Sequence, residues 1–360
     1  MSQPRITVGL PTYNSTRYLA ETLAAIQAQT FEDFEWVVSD DHSSDETVAM
    51  VRELGDPRIR LLTHDQGLGL VGNWNACVEA AQAPYTVICN HDDLWHPAFL
   101  ARAMQVLDAQ PEIGLVFSDI RYIDAEGQPV GGHWSPQALP QGDMVWPQGR
   151  FFDHLLAHGN IVSGSAAVFR SDLAQALGGF DPRVYYTLDL LLWLRLALRA
   201  PVAYLDQPLC RLRWHAEQIT SRYAGSYREI DESWLTQAIV FGEDRPLIAD
   251  AQERFAASLR HHVRWTRWMT RRAIGARDWG EARGCAGTLL SRFDPACGFA
   301  LQPGGTVRFT NLFDFCVEQQ ANSLGFLDRE VPLARPPGTR RILFLGDSCV
   351  EAVQVPMAAK

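Results

Sequence analysis

A chain of 360 residues, 47% hydrophobic and 21% charged, has the composition of a globular protein with two or three domains and a large core. Its net charge of −10 speaks against a general nucleic-acid binder. No apolar run reaches the roughly 20 residues of a membrane span, no signal-like stretch opens the chain, and the seven cysteines never form Cys-x-x-Cys, so reduced thiols in a cytoplasmic protein are expected.

The apolar run 6–10 reads as a short buried strand and leads into Pro11-Thr12-Tyr13-Asn14. A helical pattern follows over 18–28, behind Ser15 and Thr16 as possible caps. A second strand, 35–39, ends in Asp40-Asp41, with a helix expected up to residue 53 and a third strand over 59–62. Gly67, Gly69 and Gly72 then precede a helix over about 73–81. They match the G-x-G-x-x-G spacing of dinucleotide sites. That fingerprint usually opens its domain, and here two strand–helix units come first, so a nicotinamide or flavin site is disfavoured.

The next strand, from 86, runs into Asp92-Asp93. Strands alternating with helices predict a mostly parallel sheet with helices on both faces. In such folds ligands bind beyond the carboxyl ends of the strands. Paired aspartates at two strand ends would place carboxylates together there, and adjacent desolvated carboxylates need a partner charge. A divalent cation on a phosphate group supplies one, being hard and oxygen-seeking; an exposed turn is the plainer alternative.

Further along, 114–119 and 166–169 read as strands, the latter behind Gly164-Ser165. Gly178-Gly179-Phe180-Asp181 precedes an apolar segment in which Asp189 is the sole carboxylate. Burial there would raise its pKa and suit it to act as a base, whereas a plain helix-start aspartate would merely offset the dipole. After a strand over 202–205, Arg211-Leu212-Arg213-Trp214-His215 offers a cation and an imidazole, and Trp95, Trp134 and Trp146 could stack on a sugar face or serve packing.

Leu10-Pro11-Thr12-Tyr13-Asn14, the Asp40-Asp41-x-Ser43-x-Asp45-x-Thr47 run, the 67–75 loop and Asp92-Asp93 resemble, in order and spacing, the family 2 glycosyltransferases. The resemblance covers about residues 4–220. It implies an α/β glycosyltransferase A-type fold and inverting transfer from a nucleotide-diphosphate sugar to a glycan or lipid-linked acceptor, with surface polysaccharide synthesis as the implied setting. It also implies that Pro11, Tyr13, Asn14 and Asp41 line the base pocket, that Asp92 contacts ribose or metal, and that Asp93 holds Mn²⁺ or Mg²⁺. His215 would be a further metal ligand, Arg213 a phosphate contact and Asp189 the catalytic base. This chain departs from the family pattern with Asn90 and His91 before the aspartates, Leu188 for a Glu and Leu191 for an Asp.

Residues 226–290 read as helical, with arginines interleaved with Trp265, Trp268 and Met269. That mixture suits either peripheral contact with an anionic membrane or a helical hairpin with a solvated basic face. From 291 the chain becomes rich in turn formers, and a strand from 341 runs into Gly346-Asp347-Ser348. This tail resembles the truncated start of an SGNH (GDSL-type) hydrolase, without the later motifs that would activate Ser348. The expected organisation is therefore a transferase domain over 1–225, helices over 226–290 and an incomplete tail over 291–360. An alternative is a glycan O-acyl esterase fusion, truncated here, whose first domain is an inactive sugar-binding module.

Overall fold

The computed structural model describes residues 3–131, 139–291, 306–310, 316–320, 339–345 and 350–356. They divide into two compact units, 1–222 with 242–248, and 223–241 with 249–360.

The first unit opens with β1 (Ile6–Thr12), α1 (Leu19–Gln27), β2 (Phe34–Asp40), α2 (Thr47–Glu53), β3 (Ile59–Thr63), α3 (Gly69–Ala80) and β4 (Tyr85–Ile88). Next come β5 (Leu94–Trp95), α4 (Phe99–Ala109), β6 (Leu115–Ile123), β7 (Pro129–Val130), β8 (Met144–Trp146) and α5 (Arg150–His158). The unit continues through β9 (Ala167–Arg170), α6 (Ser171–Ala176), α7 (Leu188–Ala197) and β10 (Val202–Arg213). These strands form one ten-stranded sheet in the order β3-β2-β1-β4-β9-β6-β10-β5, with β7 on β6 and β8 on β10.

The pairs among β3, β2, β1 and β4 are parallel, as is β6 with β10. Between these halves β9 runs antiparallel to both β4 and β6. The sheet is therefore mixed, with the parallel half at the start of the chain. All seven residues of β1 are buried, the mark of a parallel strand covered on both faces. Helix α1 turns Leu19, Leu23 and Ile26 to the core at helical spacing. Helix α7 is buried nearly all round, which explains its apolar sequence.

Two elements differ from the sequence reading. Helix α3 starts at Gly69, not near 73, because the carboxylate of Asp41 accepts the N–H groups of Leu68 and Gly69 and caps the helix from another strand. Strand β10 runs to Arg213, not to 205, because register shifts on either side of Pro208 let the ladder with β6 resume at Cys210. Arg211 and Arg213 therefore stand on a strand.

The second unit holds most of α9 (Tyr227–Glu243), after α8 (Ile219–Tyr223), then α10 (Ala251–Gly275) and α11 (Trp279–Ser291). Phe241 and Phe255 lie 4.9 Å apart between ring centres, and Trp234 and His262 5.2 Å apart. Two antiparallel strand pairs follow, β11 (Thr306–Thr310) with β12 (Cys316–Gln320), and β13 (Thr339–Leu345) with β14 (Val350–Pro356). The Gly346-Asp347-Ser348 motif lies outside the described residues.

Candidate functional site

Because β1 lies between β2 and β4 and runs parallel to both, their carboxyl ends meet at one edge of the sheet. Pro11 is buried inside β1, while Tyr13 just beyond it is 58% exposed. Asn14 takes a left-handed turn (φ 46°), and its side-chain oxygen accepts the N–H of Ser44 at 2.9 Å. Asp40 is consumed by structure, accepting Thr12 Oγ1 at 2.9 Å, Ser43 N–H at 2.9 Å and Ser43 Oγ at 2.6 Å. Asp41 holds the start of α3. Pro11, Tyr13, Asn14 and Asp41 thus stand at one strand edge, where Pro11 and Asp41 are buried and Tyr13 and Asn14 are exposed. Asn73, on α3, donates to the carbonyl of Thr12 at 3.1 Å and leaves its own buried oxygen without a partner. Its identity as a polar group at this edge had no signature in the sequence.

The paired aspartates beyond β4 point into different surroundings. Both oxygens of Asp93 are taken by the protein. Ser165 Oγ donates to one at 2.6 Å, with Asn90 Nδ2 at 3.3 Å, and the Arg213 N–H reaches the other at 3.1 Å. Asp92 instead meets His215 Nε2 at 3.0 Å and Gln218 Nε2 at 3.0 Å, both on the same oxygen. Burial, joined by the charge of Asp92, drives Asp93 well above the usual carboxylate range, against the hydrogen bonds from Ser165, Arg213 and Asn90. Burial also pushes Asp92 upward, but the His215 hydrogen bond, the His91 charge and Gln218 outweigh it and bring Asp92 below its ordinary value. Of the two, Asp92 is the anion.

Arg213 explains why the pair is held so firmly. Its side chain is fully buried. It donates Nε to the carbonyl of Asp92 at 3.1 Å and Nη1 to that of Ala125 at 3.1 Å, and pairs through Nη2 with Glu21 at 2.9 Å. The guanidinium also lies 4.5 Å from the centre of the Tyr18 ring, which in turn sits 5.0 Å from His215. The expected phosphate contact is therefore corrected: a buried guanidinium with these partners fixes the Asp92 backbone and cannot reach a ligand.

Asp189 stands in the first turn of α7, half-buried, accepting Asn160 Nδ2 at 3.0 Å and the Leu190 N–H at 2.7 Å. Burial is the main cause that raises it to about 6, with the Asn160 hydrogen bond opposing. No recorded contact joins Asp189 to Asp92 or Asp93. The segment 160–165 serves both, holding Asp189 through Asn160 and Asp93 through Ser165. Burial, with the charge of Asp93 behind it, raises the Tyr122 hydroxyl on β6 above its ordinary value.

Helix α7 is anchored by Arg195, whose guanidinium meets Glu243 at 2.5 Å, Asp244 at 3.1 Å and Asp181 at 3.4 Å. The Gly178-Gly179-Phe180-Asp181 turn is read by Asn75, which exchanges hydrogen bonds of 2.7 and 2.8 Å with the Phe180 backbone. Gly179 has φ +73°, and a Cβ there would come within 2.3 Å of Asn75 Oδ1, so only glycine fits. Trp95 is buried, donating Nε1 to the Ser165 carbonyl at 2.7 Å, and Trp146 is buried against Phe117 and Phe151, so both serve packing. Trp134 lies outside the described residues.

Among the described residues no group of three or more His, Cys, Asp or Glu is arranged to hold a metal ion. The donor set at Asp92 and His215 nonetheless fits a divalent cation whose other ligands come from a substrate diphosphate. A carboxylate oxygen and an imidazole nitrogen already meet at 3.0 Å; with Asp92 ionised, His215 Nε2 donates to it here, and a cation between them would take the place of that proton. Asp93, with both oxygens engaged, does not fit as a ligand in this arrangement.

Residues 7–177 match the family model described as Glycosyl transferase family 2. The chain is 28% identical over 254 residues to an uncharacterized protein of Mycobacterium tuberculosis, spanning 64% of this chain and 73% of the relative. Over 90 residues, 25% of this chain and 36% of the relative, it is 31% identical to the Escherichia coli UDP-Glc:alpha-D-GlcNAc-diphosphoundecaprenol beta-1,3-glucosyltransferase WfgD. Among solved structures, S. aureus TarS 1-349 in complex with UDP superposes with a TM-score of 0.56 at 18% identity, over 72% of this chain and 71% of that one. The large central sheet flanked by helices is thus the glycosyltransferase A-type fold expected from the sequence.

Proposed function

We propose that this chain is an inverting glycosyltransferase, moving a sugar from a nucleotide-diphosphate donor to a hydroxyl of a glycan or lipid-linked acceptor. The observation that carries the reading is the junction of Asp92 and His215 at the carboxyl edge of a parallel sheet, beneath a domain that matches family 2. A uridine diphosphate sugar is the favoured donor class, since TarS is described in complex with UDP and with UDP-GlcNAc. A lipid-linked acceptor fits the diphosphoundecaprenol substrate in the name of the E. coli relative.

Asp92 and His215 would hold Mn²⁺ or Mg²⁺; when bound, such an ion neutralises charge on a diphosphate leaving group. Tyr13 offers its exposed ring to the base, beside Asp41 and Asn73 at the same strand edge. Asp93 keeps the Asp92 turn in register with Ser165 and Arg213. Asp189 takes the proton from the acceptor hydroxyl as its oxygen attacks the anomeric carbon. The bond from that carbon to the diphosphate oxygen breaks, and its electron pair leaves with the diphosphate. With a pKa of about 6, Asp189 is ionised at neutral pH yet basic enough to accept a proton.

The test is a panel of nucleotide sugars incubated with acceptor candidates, reading release of nucleoside diphosphate. Wild-type chain should release it from one donor, and Asp189→Asn should not. Turnover by Asp189→Asn near the wild-type rate would refute the assignment of the base.

A further inference from the structure

We infer that the outer face of α10 is a docking surface for an anionic phospholipid bilayer. This goes beyond the transfer reaction and does not depend on it.

Helix α10 has two opposed faces. Phe255, Ser258, His262, Thr266, Met269 and Ala273 are buried and recur at steps of three and four, so they form the inner stripe. Ring contacts of Phe255 with Phe241 and of His262 with Trp234 show what this stripe packs on. Roughly opposite, Arg264, Trp268, Arg271 and Arg272 are exposed, again at helical spacing. Trp268 is 56% exposed and lies 5.6 Å beneath the guanidinium of Arg272. Arg264 and Arg271 form no ion pair among the described residues.

The charge pattern selects the occupant. Residues 254–277 contain seven arginines and no Asp or Glu, within a chain whose net charge is −10. Most of the chain would be repelled by an anionic surface, so this stripe decides both binding and orientation. Residues 292–360 carry seven basic and seven acidic side chains, so that stretch has no net negative charge to match the stripe. An exposed indole set among arginines suits the headgroup layer, where one edge of the ring is wet and the other apolar. A soluble polyanion would satisfy the arginines and leave the indole without a role.

The experiment is cosedimentation of the full chain with phosphatidylcholine vesicles, with and without phosphatidylglycerol, in the absence of nucleotide sugar. Binding is expected only to the anionic vesicles and should fall with added salt. Replacing Arg264, Arg271 and Arg272 together by Gln should weaken partitioning on the order of 100-fold, as each arginine near an anionic surface contributes about fivefold. Trp268→Ser should weaken it further while leaving the salt dependence intact. All of these positions are exposed, and circular dichroism of the variants controls for folding. Equal vesicle binding by the triple variant, or retention on heparin with no binding to vesicles, would overturn the inference.

Discussion

Asp189→Asn should make the protein more stable while it removes turnover. The Asp189 carboxyl rises from 3.8 to about 6 on folding, chiefly through burial. At about 1.4 kcal/mol per pH unit, ionising it in the folded state costs about 3 kcal/mol. The sign follows from a raised pKa: the ionised carboxylate penalises the folded state in full above pH 6, and the penalty disappears below 3.8. An Asn can still accept the Asn160 hydrogen bond, but gives up an anion in the first turn of α7, worth about 0.3–1 kcal/mol. The expected gain at pH 8 is therefore about 2 kcal/mol, or roughly 4–8 °C in melting temperature for a unit of this size. It should shrink to well under 1 kcal/mol near pH 4. Thermal melts of both proteins across that range provide the assay. A difference that does not vary with pH, or a variant less stable at pH 8, would refute the claim that this carboxylate is strained by burial.

Transfer should depend on the same ionisation, so kcat/KM for the wild type should rise with pH through about 6 and then level off. A flat profile from pH 5 to 8 would contradict a base of that pKa. Arg213→Met should cost about 3 kcal/mol or more, seen in denaturant melts, because the carbonyls of Asp92 and Ala125 lose buried donors. Donor affinity should fall with it even in conditions where the variant stays folded; unaltered affinity would argue against Arg213 as the group that sets Asp92. Gly179→Ala should destabilise by about 2 kcal/mol, from the left-handed backbone and the clash with Asn75, and pairing it with Asn75→Ala should recover the steric part.

The strand–helix alternation was legible in the sequence, and so were several residues of the proposed site, for reasons particular residues make clear. Buried parallel strands write continuous apolar runs, so β1 and β2 were found within two residues of their ends. Asp41, Asp92, Asp189 and His215 stood out because each is a polar group set in a local pattern. What could not be read was direction. Asp92 and Asp93 are adjacent, and nothing local says that one turns to His215 and the other to Ser165. Arg213 looked like a ligand contact because its partner Glu21 lies 192 residues away, on α1. The late expected start of α3 and the early expected end of β10 share a cause: Asp41 caps the helix from another strand, and β6 restores the ladder beyond Pro208. Tertiary partners overrode local propensity at both points. Asn73, Asn160 and Gln218 act through contacts of the same long range and left no trace in the pattern.

The most direct test of the account is calorimetric titration of UDP into the full chain with Mn²⁺, repeated with EDTA and with Asp92→Asn. The account predicts binding on the order of micromolar that vanishes with EDTA and in Asp92→Asn, while that variant keeps its fold by circular dichroism. UDP binding that survives both, or its complete absence with Mn²⁺ present, would contradict the assignment of Asp92 and His215 as the donor site's metal ligands.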